Sequence, residues 1–386
     1  MVGLKQAVID KIRNLAILGV RITPKTSWIF VTLDSESGLV GLGEATLTMQ
    51  DQAVTEVVQE HAHQVIGTAV SSLAELAFRL PFLTLPEAAF SSAVMQAVCD
   101  LSARSQNVSL AATLGDVRHF SIPLYANINR RTLDRSPHGF GASAADAIKA
   151  GFQAIKIAPF DGITPTTNIT GPTIETGLRR IEAVRAAIGA DVRLMVDCYW
   201  RFDYARATKL IDAVNDFDLY WLECPIAETS ENLPALRLLR SQANAHGIRL
   251  AGCETAILRR GFEPYLKAGA YDVIMPDVKY AGGPQEMLEI AANCKRYGVD
   301  FSPHNPSGPI CHAASLQVCA AVEHVDMLEY QYDETPLFNQ LASPQLPAIV
   351  QGIAALPTGQ TGIGVSLDKQ LIQTLEITAA WSTELT

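Results

Sequence analysis

The spacing of apolar positions changes period along the chain. Between about Ala16 and Leu47 the runs ILGVRIT and SWIFVTLD, a turn at Ser35–Gly38 and then LVGLGEA read as a β-meander. From Asp51 to Leu80 and from Glu87 to Leu114 Ala, Val, Leu and Phe recur at spacings of three and four, which predicts amphipathic helices and makes this first part an α+β unit. From about residue 121 short apolar runs alternate with amphipathic stretches, the βα rhythm of a parallel sheet or barrel. Eight runs are found: Pro123–Asn129, Ala154–Pro159, Arg193–Cys198, Tyr220–Cys224, Arg249–Cys253, Val273–Met275, Asp300–Pro303 and Met327–Tyr330. Helical segments such as Thr176–Ile188 and Gln285–Tyr297 lie between them, and eight units predict a TIM-type barrel. The turn-rich tail from about Ser343 is expected to pack back on the first domain. The boundaries expected are residues 1–120, 121–342 and 343–386.

Composition narrows the function. The 386 residues are 48% apolar and 18% charged, as in a globular enzyme, and carry a net charge of −10 without a basic run. Nucleic acid and anionic membranes are thereby poor partners. No apolar stretch of about 18 residues that could span a bilayer occurs, and charges occupy the amino-terminal MVGLKQAVIDKIRN where a signal peptide needs an apolar core, so a cytoplasmic protein is expected. The seven cysteines are scattered, with no CxxC pair, and read as reduced, buried small hydrophobes.

In a barrel the carboxyl end of each strand faces the shared site, so polar residues that terminate apolar runs are the informative ones. RLMVD ends on Asp197, YWLE on Glu223 and LAGCE on Glu254. A single strand-terminal acid often only begins a loop or caps a helix. Three converging carboxylates repel one another unless a hard cation sits between them, and an oxygen-ligated Mg²⁺ with open positions for substrate meets that need. The next two run ends lead to Asp277 and His304, about one βα unit apart. An Asp bonded to one imidazole nitrogen fixes the tautomer and raises the basicity of the other, making a general base; a loop histidine is the alternative. Lys156 interrupts AIKIAP and could neutralise a substrate carboxylate at the barrel mouth, or could point to the bottom. Lys279, two residues after Asp277, could contact substrate or lie solvated in a loop.

In order, GFQAIKIA, LMVDCYW, WLECP, AGCET, IMPDVKYAGG, FSPHNPSGPICHAASLQ and MLEY, preceded by GLVGLGEA around Glu44, resemble the mandelate racemase subgroup of the enolase superfamily over nearly the whole chain. The resemblance implies an α/β fold: a modified (β/α)7β TIM barrel with an amino-terminal α+β capping domain completed by the carboxyl-terminal tail. It implies Mg²⁺ on Asp197, Glu223 and Glu254, the Asp277/His304 pair as general base, and Glu329 hydrogen-bonding an enediolate as it forms. Many members carry Lys-x-Lys on the second strand, the second lysine being a base on the opposite face; this chain reads Lys156-Ile157-Ala158. Proton abstraction by one base and loss of a β-hydroxyl is therefore the better expectation, as in the subgroup's acid-sugar dehydratases. Some of those place a general acid two residues past the first metal ligand, where this chain has Tyr199; packing is its other reading, and His304 could itself protonate the leaving hydroxyl.

The connection near Thr23–Ser27, which in such proteins lies over the mouth, offers Lys25 and Trp28 for substrate specificity, and Asp161–Gly177 is long enough to close over substrate. His61 and His63, on one amphipathic helix, read as solvated. The expected protein is a Mg²⁺-dependent hydro-lyase acting on a hydroxy or sugar acid, and a homo-oligomer. The alternatives are a racemase, epimerase or cycloisomerase using the same enolate with Lys279 or Lys156 as second base, and a non-catalytic sugar-acid binder, which would not require the Asp277/His304 pair.

Overall fold

The computed structural model describes residues 10–71, 73–166, 174–357 and 359–383. Strands β1 (Ile12–Thr23), β2 (Thr26–Ser35) and β3 (Val40–Glu44) form the expected antiparallel meander. Four helices follow: α1 (Asp51–His61), α2 (Leu73–Arg79), α3 (Leu85–Ser105) and α4 (Leu110–Leu114). The stretch expected to be helical from Asp51 to Leu80 is broken. A 3-10 turn at Ala62–Gln64 is followed by Gly67 at φ +75°, a conformation that favours glycine, so His61 closes α1 while His63 lies in the turn. A capping box between Thr84 and Glu87 starts α3. This helix lies directly on β3: a Cβ at Gly43 would sit 2.0 Å from the Ala93 carbonyl oxygen, and one at Gly41 2.1 Å from that of Ala97.

The barrel strands are β4 (Ser121–Asn127), β5 (Ala154–Ile157), β6 (Arg193–Asp197), β7 (Leu219–Glu223), β8 (Arg249–Gly252), β9 (Val273–Ile274), β10 (Asp300–Phe301) and β11 (Leu328–Gln331). Between them run helices α5 (Pro137–Lys149), α6 (Ile174–Ile188), α7 (Tyr204–Ala213), α8 (Leu233–Ala245), α9 (Leu258–Ala268), α10 (Pro284–Tyr297) and α11 (Pro309–Ala321). The eight strands are parallel neighbours in chain order from β4 to β10, with β11 against β4. The seam between β10 and β11 is joined by Asp326 N–H to Phe301 O (3.0 Å) and Glu329 N–H to Pro303 O (3.2 Å) rather than by a ladder. Tyr125, Met195, Trp221, Val273, Met275 and Met327 belong to a packed cluster of their own, while the helices cover the strands in a second, larger one.

The tail, expected to pack on the first domain, makes contacts with both. Ile377–Ser382 adds a fourth strand to the meander beside β1, but Ile353–Ala355 pairs antiparallel with β4. Its apolar residues therefore satisfy both domains. All seven cysteines are buried and unpaired, and among the described residues no helix is long and apolar enough to cross a membrane.

Candidate active site

Strands β6, β7 and β8 bring Asp197, Glu223 and Glu254 together at their carboxyl ends, with Asp197 opposite Glu223 in the ladder. All three are buried, and one oxygen from each lies within 4.8 Å of the others. Burial and then mutual repulsion push the carboxyl pKa values of Asp197 and Glu254 well above the usual range. Glu223 is compensated by Lys156 Nζ at 2.7 Å and Trp221 Nε1 at 3.0 Å, and Asp197 accepts the Tyr199 N–H at 2.8 Å. Glu254 Oε2 is buried without a hydrogen bond. Three hard oxygen donors in close approach, one of them orphaned, fit a divalent cation. The chain turns sharply beside each ligand: Tyr199, Trp200, Cys224 and Cys253 all have φ between 45° and 72°, a backbone region that costs a non-glycine residue of order 1–3 kcal/mol and gathers at functional sites.

Beside this triad stands the Asp277/His304 pair. His304 Nδ1 lies 2.8 Å from Asp277 Oδ2, leaving Nε2 directed inward, 3.4 Å from Glu254 Oε2 and 3.8 Å from Glu329 Oε2. Burial would raise the Asp277 pKa, but Lys279 and His304 together hold it below the usual carboxylate value. Glu329 is held at about 2: against burial stand Lys156 at 3.0 Å, the His304 charge, the Asn127 amide at 2.7 Å and the Asn305 N–H at 3.0 Å. Lys156 is itself buried, a cost to its ammonium that Glu223 and Glu329 outweigh, so its pKa stands well above the ordinary value.

Several expected contacts are placed differently. Lys156 does not point to the bottom, yet its charge is already committed to two carboxylates. Lys279 is not solvated: it is 2% exposed and paired with Asp277 at 2.9 Å. Trp28 is buried, edge-on to Phe30 and Phe338, on a strand whose two faces are both covered. Lys25 stays exposed at the β1–β2 hairpin tip, which is tied down by Thr26 Oγ1 to Glu334 at 2.5 Å. Tyr199 lies beyond the end of β6 and is 45% exposed; partial burial and the charges of Asp197 and Glu254 raise its phenol pKa. Position 158, just past the end of β5, is a buried alanine, and of Asp161–Gly177 residues 167–173 lie outside the described set.

Sequence reasoning overlooked Asn127 and Asn305, which hold Glu329, and Glu44. The Glu44 carboxylate is buried beneath the loop after His304, where it accepts the N–H groups of Gly308 (2.7 Å) and Cys311 (2.9 Å) at the start of α11. Asn127 and Asn305 are neutral, so a search for charged strand ends passes over them. Glu44 lies in GLVGLGEA, a signal that points to the domain and not to this contact.

A parallel barrel with an acidic triad and an Asp–His pair at its carboxyl-terminal mouth, under an α+β cap, defines a class of proton-abstracting enzymes. Residues 8–115 match the mandelate racemase / muconate lactonizing enzyme N-terminal domain and residues 139–371 the enolase C-terminal domain-like family; the chain belongs to the mandelate racemase subgroup of the enolase superfamily. It is 28% identical to a D-gluconate dehydratase of Thermoproteus tenax, over 89% of this chain and 69% of that protein. With a D-galactonate dehydratase of Xanthomonas axonopodis pv. citri it shares 27% identity over 90% of each. An enolase protein from the environmental genome sequencing of the Sargasso Sea superposes with a TM-score of 0.83 at 28% identity, covering 97% of this chain and 99% of that one. The protein is an enzyme of the lyase class.

Proposed function

We propose that the protein is a Mg²⁺-dependent acid-sugar dehydratase that removes the proton α to a carboxylate and expels the β-hydroxyl to give a 2-keto acid. The observation that carries this reading is the asymmetry of bases: His304 Nε2 lies 3.4 Å from Glu254 Oε2, while the position at which many members of the family carry a second lysine is Ala158 in this chain. The dehydratase relatives, which act on gluconate and galactonate, support sugar acids as the substrate class. Mg²⁺ held by Asp197, Glu223 and Glu254 would supply Lewis-acid stabilisation of negative charge developing on the substrate carboxylate.

The chain's own residues supply the proton steps. His304 Nε2 takes the α-proton, and Asp277 Oδ2 stabilises the imidazolium. The β-hydroxyl leaves as water with a proton from Tyr199, whose raised pKa keeps it protonated, or from His304 if the group departs on the same face. The resulting enol then tautomerises to the keto acid. Glu329 is ionised before substrate arrives, so it donates a hydrogen bond to the enediolate only if the α-proton taken by His304 Nε2, 3.8 Å from Glu329 Oε2, passes on to it. Racemisation finds less support, because Lys156 and Lys279 are both buried in ion pairs.

Incubation with Mg²⁺ and a panel of sugar acids, followed by keto-acid detection, tests the reading. One substrate epimer at the α-carbon should react, and His304→Asn should lose both turnover and α-proton exchange with D₂O. Rapid exchange in that variant would identify a lysine as the base and favour the epimerase.

A further inference from the structure

One buried charge has no part in the steps above. Lys279 Nζ lies 2.9 Å from Asp277 Oδ2, the same oxygen that meets His304 Nδ1, and it donates to the Ser307 hydroxyl. The backbone N–H of Lys279 holds the other oxygen, Asp277 Oδ1, at 2.9 Å. Lys279 thus contacts both oxygens of the Asp277 carboxylate. Ser307 belongs to the loop that carries His304, so the ammonium also ties the segment after β9 to the segment after β10. Burying an ammonium costs several kcal/mol before its partners compensate. An apolar side chain would fill the same volume without that cost, so packing alone does not account for a lysine here.

We propose that Lys279 is a positioning residue of the catalytic base: it fixes the Asp277 carboxylate and, through Ser307, the His304 loop, so that the imidazole keeps its Nδ1 partner while Nε2 faces the substrate's α-carbon. The inference rests on the reading of His304 as the base. With its ammonium held by Asp277 and Ser307 on the Nδ1 side of the ring, Lys279 in this reading is neither a second base nor a substrate contact.

The test compares Lys279→Met and Ser307→Ala in the full-length protein with Mg²⁺, folding being checked by circular dichroism. Outer residues that orient active groups typically carry about 10–100-fold in activity. Lys279→Met is expected to lower kcat roughly within that range while KM changes little, with α-proton exchange falling in parallel. Ser307→Ala should give a smaller loss, and the double variant should lose no more than Lys279→Met alone. A second readout does not need turnover: the downfield imidazole N–H proton resonance, identified by its loss in His304→Asn, should broaden or vanish in Lys279→Met. Unchanged kcat with an unchanged resonance overturns the proposal, as does a rise in KM at constant kcat. If Lys279→Met does not fold, the same two measurements on Ser307→Ala decide it, and no change in either overturns it. If wild-type protein converts no sugar acid, the dehydratase reading fails while the resonance still decides the role of Lys279.

Discussion

The two ends of the barrel treat acidic residues in opposite ways. At the amino-terminal end Asp326 accepts Arg249 Nη2 at 2.7 Å and lies 3.5 Å from Arg193, both of its oxygens lie 3.0 Å from the Tyr220 hydroxyl, and Asp300 pairs with the same Arg249. Both guanidinium groups also stack over the Tyr220 ring, at 4.4 and 4.0 Å. Here two carboxylates meet two arginines and the charge closes within the chain. At the carboxyl-terminal end Lys156 pairs with Glu223 and Glu329, Asp277 pairs with Lys279, and Asp197 and Glu254 have no lysine or arginine partner. With every carboxylate ionised and His304 neutral, that end is three negative charges in excess. Acid clusters of similar make-up thus differ in whether the protein itself supplies the counter-charge, and the uncompensated one calls for charge from outside.

The sharpest break in this contrast comes from removing a mouth carboxylate. Asp197→Asn or Glu223→Gln should lower turnover about 10³-fold or more, the worth of several kcal/mol of charge stabilisation, and chelation should do the same to wild-type protein until Mg²⁺ is restored. Full turnover in chelator would refute a metal role. In metal-free protein Asp197→Asn should unfold no earlier than wild type, because the substitution relieves repulsion; differential scanning fluorimetry checks this.

The second effect is a pH dependence. Asp197 and Glu254 have folded-state pKa values raised above their unfolded values of about 4, so the metal-free native state binds more protons. Their stabilising contribution is complete below about pH 4 and is lost as pH rises towards the folded values, at up to about 1.4 kcal/mol per pH unit for each proton. Denaturant melts in chelator should show this fall across the mildly acidic range, and saturating Mg²⁺ should abolish or reverse it. A metal-free stability that rises over the same range would contradict the charge excess.

At the other end, Arg249→Met should cost roughly 2 kcal/mol, below the value for a fully buried pair because the arginine is partly solvated. Turnover and KM should not change, since no residue of that cluster reaches the mouth. A kinetic defect without loss of stability would show that the ends are not separable. The smallest effect is expected of Tyr199→Phe: a several-fold loss in kcat if the phenol protonates the leaving hydroxyl, and none in kcat/KM if it only packs.

The strand ends were legible because a barrel strand is a short apolar run and its candidate site residue interrupts or terminates it. Asp197, Glu223, Glu254, Asp277 and His304 announced themselves in that way. Side chains whose meaning depends on a partner from a distant strand did not. Nothing in PDVKYAGG tells that Lys279 turns back on Asp277 and reaches Ser307, and nothing around Trp28 tells that β2 is covered on both faces. The helical periodicity from Asp51 to Leu80 survives the interruption at Ala62–Gly67, because the residues on either side still face the same core.

The contact of Glu44 with the start of α11 bears on how such proteins can be recombined. A Cβ at Gly308 would lie 2.8 Å from the Trp28 ring and 2.9 Å from both Glu44 oxygens, so the absence of a side chain at 308 is what lets a carboxylate from the cap reach two barrel N–H groups. Positions 28 and 44 in the cap and position 308 in the barrel, 264 residues beyond Glu44, therefore form one lock encoded in two domains. A chimera that joins this barrel to the cap of a relative would retain its acidic strand ends intact and still misplace the loop bearing His304 unless all three positions travelled together.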